Sequence, residues 1–437
     1  MSEWVAETIH GEKVKSGSIE ANVDGKKVTL DVQQLRSRIP KDCLKPSTIR
    51  SLGYVVHDLV IFGSLLAITL QLDKHLEHKY YAARILLRYV VYPCLAGIPL
   101  TGLWVLAHEA GHGAFSTNNV FANFVGWVLH SSLMNPYFSW RSSHGRHHQF
   151  ANNMATDLNY VPPVREEYSE LIRGKVDLDH LVEDAPLVVL IRIVVQQLIG
   201  WPWYLLTHIT AAPTSSPKKS RGWWDNSHFW PTSSLFRPNE FWTIVASDLG
   251  IALVAAALYG LGQKFGSSTI IWAYVIPYMW VNHWIVMITY LHHTSPELPK
   301  YTPESWTYLR GALATVDRDP GWLLKHMFHH IIDLHVVHHL FPRIPHYHAQ
   351  EATDAIKPLL GDYYHVDKSS YFGALWTAFT QCQWVEADAT KTASARVYHK
   401  QEDASYGGVQ KITSVDQTGV LWYRPGPMPL PATVMRR

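Results

Sequence analysis

The stretch IPLTGLWVLAHEAGHGAF, residues 98–115, carries an apolar run directly into His108, Glu109 and His112. Histidines four apart project from one helix face, so the end of this run can aim two imidazoles at one point. HExxH is also the spacing by which a helix holds a zinc ion and uses the glutamate as a base. What surrounds the motif decides between a lone zinc helix and one part of a larger site. Residues 85–107 are apolar and long enough to cross a bilayer core, which takes about 20 residues of helix. The same holds for 54–72, 241–262 and 269–291. Short links at 73–84 and 263–268 fold these segments into two hairpins, so the long polar stretches outside the hairpins share one side. Arg36, Arg38, Lys41, Lys45 and Arg50 before the first segment, with Lys218, Lys219, Arg221 and Arg237 before the third, mark that side as cytosolic.

A fifth apolar stretch, 186–209, carries Arg192, Gln196 and Gln197 near its middle and Pro202 beyond, and is expected to lie in the interface. The shorter segment 120–134 is expected to be interfacial or buried. Composition agrees: of 437 residues, 47% are hydrophobic, 18 are Trp and only 17% are charged, an unusual balance for a soluble enzyme. A mean hydropathy near zero requires sizeable water-facing parts as well. The predicted fold is an all-α integral membrane protein of four transmembrane helices in two hairpins, with interfacial helices and a cytosolic helical cap. Residues 1–50 form a cytosolic N-terminal segment, 51–385 the membrane domain and 386–437 a cytosolic tail, both ends being peripheral. The first 50 residues are polar, and no cleavable signal peptide is expected there. Cys43, Cys94 and Cys382 lie far apart without a CxxC pair, so neither a disulfide framework nor a thiolate zinc site is indicated. A net charge of +2 gives no sign of a nucleic-acid partner.

The chain contains 26 histidines. At that frequency HxxHH is expected about 0.09 times by chance, yet it occurs as His144, His147, His148; as His326, His329, His330; and as His335, His338, His339. Residues at i, i+3 and i+4 share a helix face, so each triad is expected to aim at a common point. The last two triads are offset by nine residues and would sit on opposite faces of one continuous helix, so His326 and His330 are assigned to a non-ligating face. With 186–209 in the interface, His108–His112, His144–His148 and His335–His339 emerge on one membrane side. Eight imidazoles exceed what one ion uses and suit two metals, whereas a catalytic zinc takes three protein ligands. A protease would leave most of them unexplained. The absence of cysteine ligands also excludes an iron–sulfur cluster.

HEAGH, HGRHH and HVVHH, with two hydrophobic segments between the second and third, resemble the histidine boxes of membrane-bound fatty acid desaturases. The runs LRSRIPKDCLKPSTIRSLGYVVHDL, GWPWYLLTHIT, TYLHHTSPELPKY and HAQEATDAIKPLLG are similar to the fungal delta-12 (oleate) branch, and the likeness covers residues 30–390. The resemblance implies that His108, His112, His144, His147, His148, His335, His338 and His339 ligate two irons, with His293 as a ninth ligand and His292 beside it in support. Glu109 would orient a ligating imidazole. Ala110 stands where the family usually has Cys, HHLFPRIPHYH departs from the HHYVSTIPFYH type, and Trp230 replaces an Asp or Asn. These changes flank the presumed site and bear on regiochemistry.

The resemblance further implies a multi-pass endoplasmic-reticulum enzyme with both termini and the active site cytosolic. It would take two electrons from cytochrome b5, reduce O₂ to water and place a cis double bond in a lipid acyl chain, oleoyl to linoleoyl. No HPGG haem motif is present, so the cytochrome b5 is expected to be a separate protein. An omega-3 desaturase, an acyl hydroxylase or an acetylenase would use the same boxes, and an intramembrane zinc metalloprotease is the remote alternative. A closed apolar tunnel would select the methylene pair, with Trp104, Trp280 and Trp284 as candidate lining. Arg141 and Arg146 could meet a phosphate headgroup.

Overall fold

Long uncharged stretches form helices because a helix satisfies its own backbone polar groups where water cannot. The computed structural model describes residues 14–23, 26–76, 80–168, 186–212, 214–219, 222–387 and 419–423. The chain starts with an antiparallel hairpin, β1 (Ser18–Val23) and β2 (Lys26–Asp31), followed by the short helix α1 (Val32–Arg38). Asp31 and Gln34 cap α1 reciprocally, each side chain accepting the other's backbone N–H. A single turn, Lys41–Leu44, then leads into α2 (Thr48–Leu76). This segment is not a loose tail. Ile19, Leu30, Leu35, Ile39 and Cys43 join one apolar cluster with Leu309, Val336, Val337 and Ile356.

Next come α3 (Tyr81–His112), α4 (Asn119–Ser132), α5 (Tyr137–Phe150), α6 (Pro186–Thr207), α7 (Pro238–Phe265) and α8 (Ser267–Leu291). The four expected membrane segments fall inside α2, α3, α7 and α8. By length and apolarity α6 could cross a bilayer too, making five such helices. In α3, 72% of the apolar window is buried, against 17% for α2, α6 and α7, so α3 is the central helix and the others surround it. Val56, Leu59, Val60 and Ile68 on α2, and Leu249, Leu253 and Leu261 on α7, face outward as a surface made for lipid.

Small residues let the helices approach closely. A Cβ on Gly102 of α3 would come within 2.5 Å of both the Asp58 carboxylate of α2 and the Met327 carbonyl. α3 ends at Gly113, whose φ of 74° suits a left-handed cap. The α4 segment is buried as expected in part: Ala122, Gly126 and Leu129 pack inward, and the Trp127 indole donates to Ala246 O of α7.

After α8 the elements are short: β3 (Pro299–Tyr301), α9 (Tyr308–Leu313), β4 (Val316–Arg318), α10 (Gly321–Met327), α11 (His335–Leu340), α12 (His346–Leu360), β5 (His365–Asp367), α13 (Tyr371–Gln381), β6 (Val385–Ala387) and β7 (Val420–Tyr423). The fold is therefore helical with small strands, rather than purely α. β4 pairs in parallel with β5, and β7 is the middle strand between β3 and β6. The expectation of a peripheral C-terminal tail is corrected at residues 420–423, where Val420, Leu421 and Tyr423 are buried.

Candidate functional site

His108 and His112 close the buried end of α3, one turn apart. α5 brings His144, His147 and His148 alongside; His293 follows α8 directly; α11 supplies His335, His338 and His339. Among the described residues these side chains fall into two adjoining groups. His108, His112, His144, His148 and His338 place one ring nitrogen each within 4.8 Å of one another, and so do His147, His293 and His339. His335 Nε2 lies 3.3 Å from His293 Nε2, which attaches it to the second group. The groups touch through His148 and His339, stacked with centroids 4.1 Å apart.

The triads therefore do not each aim at one point. On a helix, i and i+4 are about 40° apart, whereas i+3 lies about 60° to the other side of i. Accordingly His144 and His148 serve the first group while His147 turns to the second, and His335 and His339 serve the second while His338 turns to the first. α5 and α11 are thus reciprocal, each giving two imidazoles to one group and one to the other.

The middle triad is separated by a break in the helix, not by opposite faces of one. α10 stops at Met327, and His329 and His330 take left-handed φ values of 49° and 61° before α11 begins. His326 Nδ1 donates to Trp322 O (2.7 Å), His329 pairs with Asp58 (2.7 Å) and His330 with Asp333 (3.0 Å). None of the three joins either group.

Both groups consist of histidine alone. Burial pulls His144, His148, His293, His338 and His339 well below the usual imidazole range, and His335 down to about 3. They stand neutral at physiological pH, the form that ligates metal. Ring nitrogens face each other in pairs: His108 and His112 at 3.2 Å, His144 and His148 at 3.1 Å, His147 and His293 at 3.3 Å. The buried His108 Nδ1, His148 Nδ1, His293 Nδ1, His338 Nε2 and His339 Nδ1 have no hydrogen-bond partner. Converging neutral lone pairs inside a protein call for a cation, and an all-imidazole set suits iron, zinc, copper or nickel. The residues present fit a bound metal pair.

The supports came from places the sequence did not flag. Asp157, in the loop after α5, accepts from His147 Nδ1 at 2.7 Å and from the Asn152 and Asn159 backbone N–H groups. It fixes the tautomer of that ring. His335 Nδ1 donates to Ile331 O, and Asp317 of β4 accepts the Val336 N–H at 2.8 Å, pinning the start of α11. Buried Lys300 donates to Asn152 Oδ1 (2.6 Å) and His293 O (3.1 Å). His292 packs beside His335, bonded to Val316 O and near the Tyr371 hydroxyl. Glu109 is corrected: its carboxylate accepts the His346 backbone N–H at 3.0 Å and orients no imidazole of either group. A protease base would have to face the metal.

Trp104 stacks on His108 with centroids 5.9 Å apart and packs edge-on to Trp140 and Trp201, forming an aromatic wall next to the first group. Trp284 lies against Phe328, and Trp280 against Gly97. Arg146 is buried and donates to Leu235 O, so it braces α5 rather than reaching a headgroup. Arg141 remains exposed.

The profile of the fatty acid desaturase family matches residues 86–371, which hold every histidine of the two groups. An oleate hydroxylase from Claviceps purpurea is 40% identical over 378 residues, covering 82% of this chain and 78% of its own. A delta(12) fatty acid desaturase from Mortierella isabellina is 41% identical, covering 81% and 88%, and a delta(12)-oleate desaturase from Trichosanthes kirilowii is 35% identical, covering 93% and 98%. Histidine spacing, the two buried imidazole groups and these likenesses converge, and the chain belongs to the fatty acid desaturase family of oxygen-dependent oxidoreductases.

Proposed function

We propose that this enzyme converts oleoyl to linoleoyl chains, using O₂ and two electrons from a separate cytochrome b5 in the endoplasmic-reticulum membrane. The observation that carries the reading is the pair of adjoining, buried, all-histidine groups at the end of the central apolar helix α3. Delta(12) relatives from both fungi and plants supply the regiochemistry. Two irons held by His108, His112, His144, His148 and His338 on one side and His147, His293, His335 and His339 on the other would supply O₂ activation and hydrogen abstraction from an unactivated methylene.

The protein's own part is positioning and exclusion. Burial keeps His144, His148, His293, His335, His338 and His339 unprotonated, Asp157 and the Ile331 carbonyl hold two rings in one tautomer, and Trp104, Trp140 and Trp201 form an apolar wall beside the first group. An acyl chain lying along that wall presents a fixed methylene pair to the site, which is how a featureless chain can be measured. Two hydrogen atoms from the acyl chain, two electrons from the donor and two protons from solvent reduce O₂ to two waters, and the two carbons that lose hydrogen form the double bond.

The oleate hydroxylase at 40% identity makes hydroxylation of the same chain the second reading. Expression in a host that makes only monounsaturated chains, followed by gas chromatography and mass spectrometry, separates the two. A new diene with bonds at positions 9 and 12 is expected; a hydroxylated monoene as the main product would transfer the assignment to the rival. His144→Ala and His338→Ala should each abolish product, and turnover in either would remove it from the ligand set.

A further inference from the structure

We propose that Cys43, His348 and Glu351 form a second metal site, apart from the two histidine groups, that takes a divalent transition ion of the zinc class. Cys43 comes from the turn Lys41–Leu44 and the other two from α12, so the residues meet only through folding. Their sulfur, ring nitrogen and carboxylate oxygen all lie within 4.8 Å of one another. His348 Nδ1 stands 3.5 Å from Glu351 Oε2, an i, i+3 pair on one helix face.

A buried free cysteine ordinarily packs as a small apolar group. Cys43 is fully buried in the apolar cluster, yet its sulfur faces an imidazole and a carboxylate. Thiolate, imidazole and carboxylate are together the donor types zinc accepts, and three protein ligands leave a fourth position open. Glu351 is more than half exposed, so that position faces solvent and the ion has an entry path. An unliganded cysteine carries its thiol proton at neutral pH. Binding exchanges that proton for the metal: the S–H bond breaks, a sulfur–metal bond forms and H⁺ leaves to solvent, with no change of oxidation state. The bound ion would tie the segment before α2 to α12, close behind the last histidine triad.

Cobalt(II) titration of the full-length protein in detergent tests this, because the histidine groups contain no sulfur and only a thiolate site gives the near-ultraviolet sulfur-to-cobalt charge-transfer band. The band is expected to saturate at one thiolate-bound cobalt per chain, to persist in His144→Ala and in Cys382→Ser, and to bleach on adding zinc. It should vanish in Cys43→Ser, and His348→Ala and Glu351→Gln should each weaken apparent cobalt affinity by about tenfold or more. Because Glu351 is exposed and His348 lies at the edge of the same helix face, those two variants decide the matter even if Cys43→Ser fails to fold. Absence of the band at saturating cobalt, its survival in Cys43→Ser, or unchanged affinity in both α12 variants would overturn the proposal.

Discussion

At the scale of single residues, the site depends on groups that hold the histidines as much as on the histidines. Asp157 is buried and its carboxylate is fully engaged by His147 Nδ1 and two backbone N–H groups. Asp157→Ala should free that ring and cost about 10–100-fold in metal affinity or turnover. Iron stoichiometry and product yield measured together check it; full iron and full activity would show that the ring is held otherwise. Lys300 gives a pH dependence. Burial pulls it from 10.5 down to about 8, so between those values the unfolded chain keeps a proton that the folded chain has released. Stability therefore rises with pH across 8–10.5, by up to about 1.4 kcal/mol per unit, and below pH 8 both states are charged and the slope disappears. Wild type should gain on Lys300→Met above pH 8 in thermal unfolding and run parallel to it below. The histidines were legible because their spacing is a property of one helix turn. Asp157, Asp317 and Lys300 were not, because each meets its partner through loop geometry that no local pattern encodes.

At the scale of elements, the apolar runs predicted the long helices, and 3.6-residue periodicity predicted that the triads would be helical. What it did not convey is the division of each triad between two groups, which depends on where the neighbouring helices stand. The break between α10 and α11 was equally hidden, since no Gly or Pro marks it and two histidines take the left-handed backbone themselves. The close packing of α3 on α2 and α10 yields a prediction here. A methyl at Gly102 would meet the Asp58 carboxylate and the Met327 backbone carbonyl at 2.5 Å, and the carbonyl cannot swing aside as a side-chain tip would. Gly102→Ala should destabilise the fold by about 1–3 kcal/mol and lower the thermal midpoint. Gly63→Ala on α2, which meets nothing within 4 Å, serves as the control and should leave the midpoint in place.

At the scale of the whole molecule, the issue is the path of α6, apolar enough to cross a bilayer yet read from its polar middle as interfacial. Its neighbours favour the second path. Val189 joins Met287 and Leu291 of α8 in one cluster, and eleven residues later Gly200 faces Val286. α6 thus packs on the C-terminal half of α8 at both points. Beyond its end, Val161 N–H donates to Thr210 O and Ala212 N–H to Asp157 O, returning the chain to the loop next to His147. There is also a parity argument. His144–His148 precede α6 and His335–His339 follow α8, yet they meet; if α7 and α8 both cross, a crossing by α6 would part them. Glycosylation acceptors inserted in the 73–84 and 263–268 links should therefore be modified in microsomes, while acceptors at 216–219 and at the C-terminus should stay bare. A crossing α6 would reverse the last three results, leaving the 263–268 link bare and modifying both the 216–219 loop and the C-terminus.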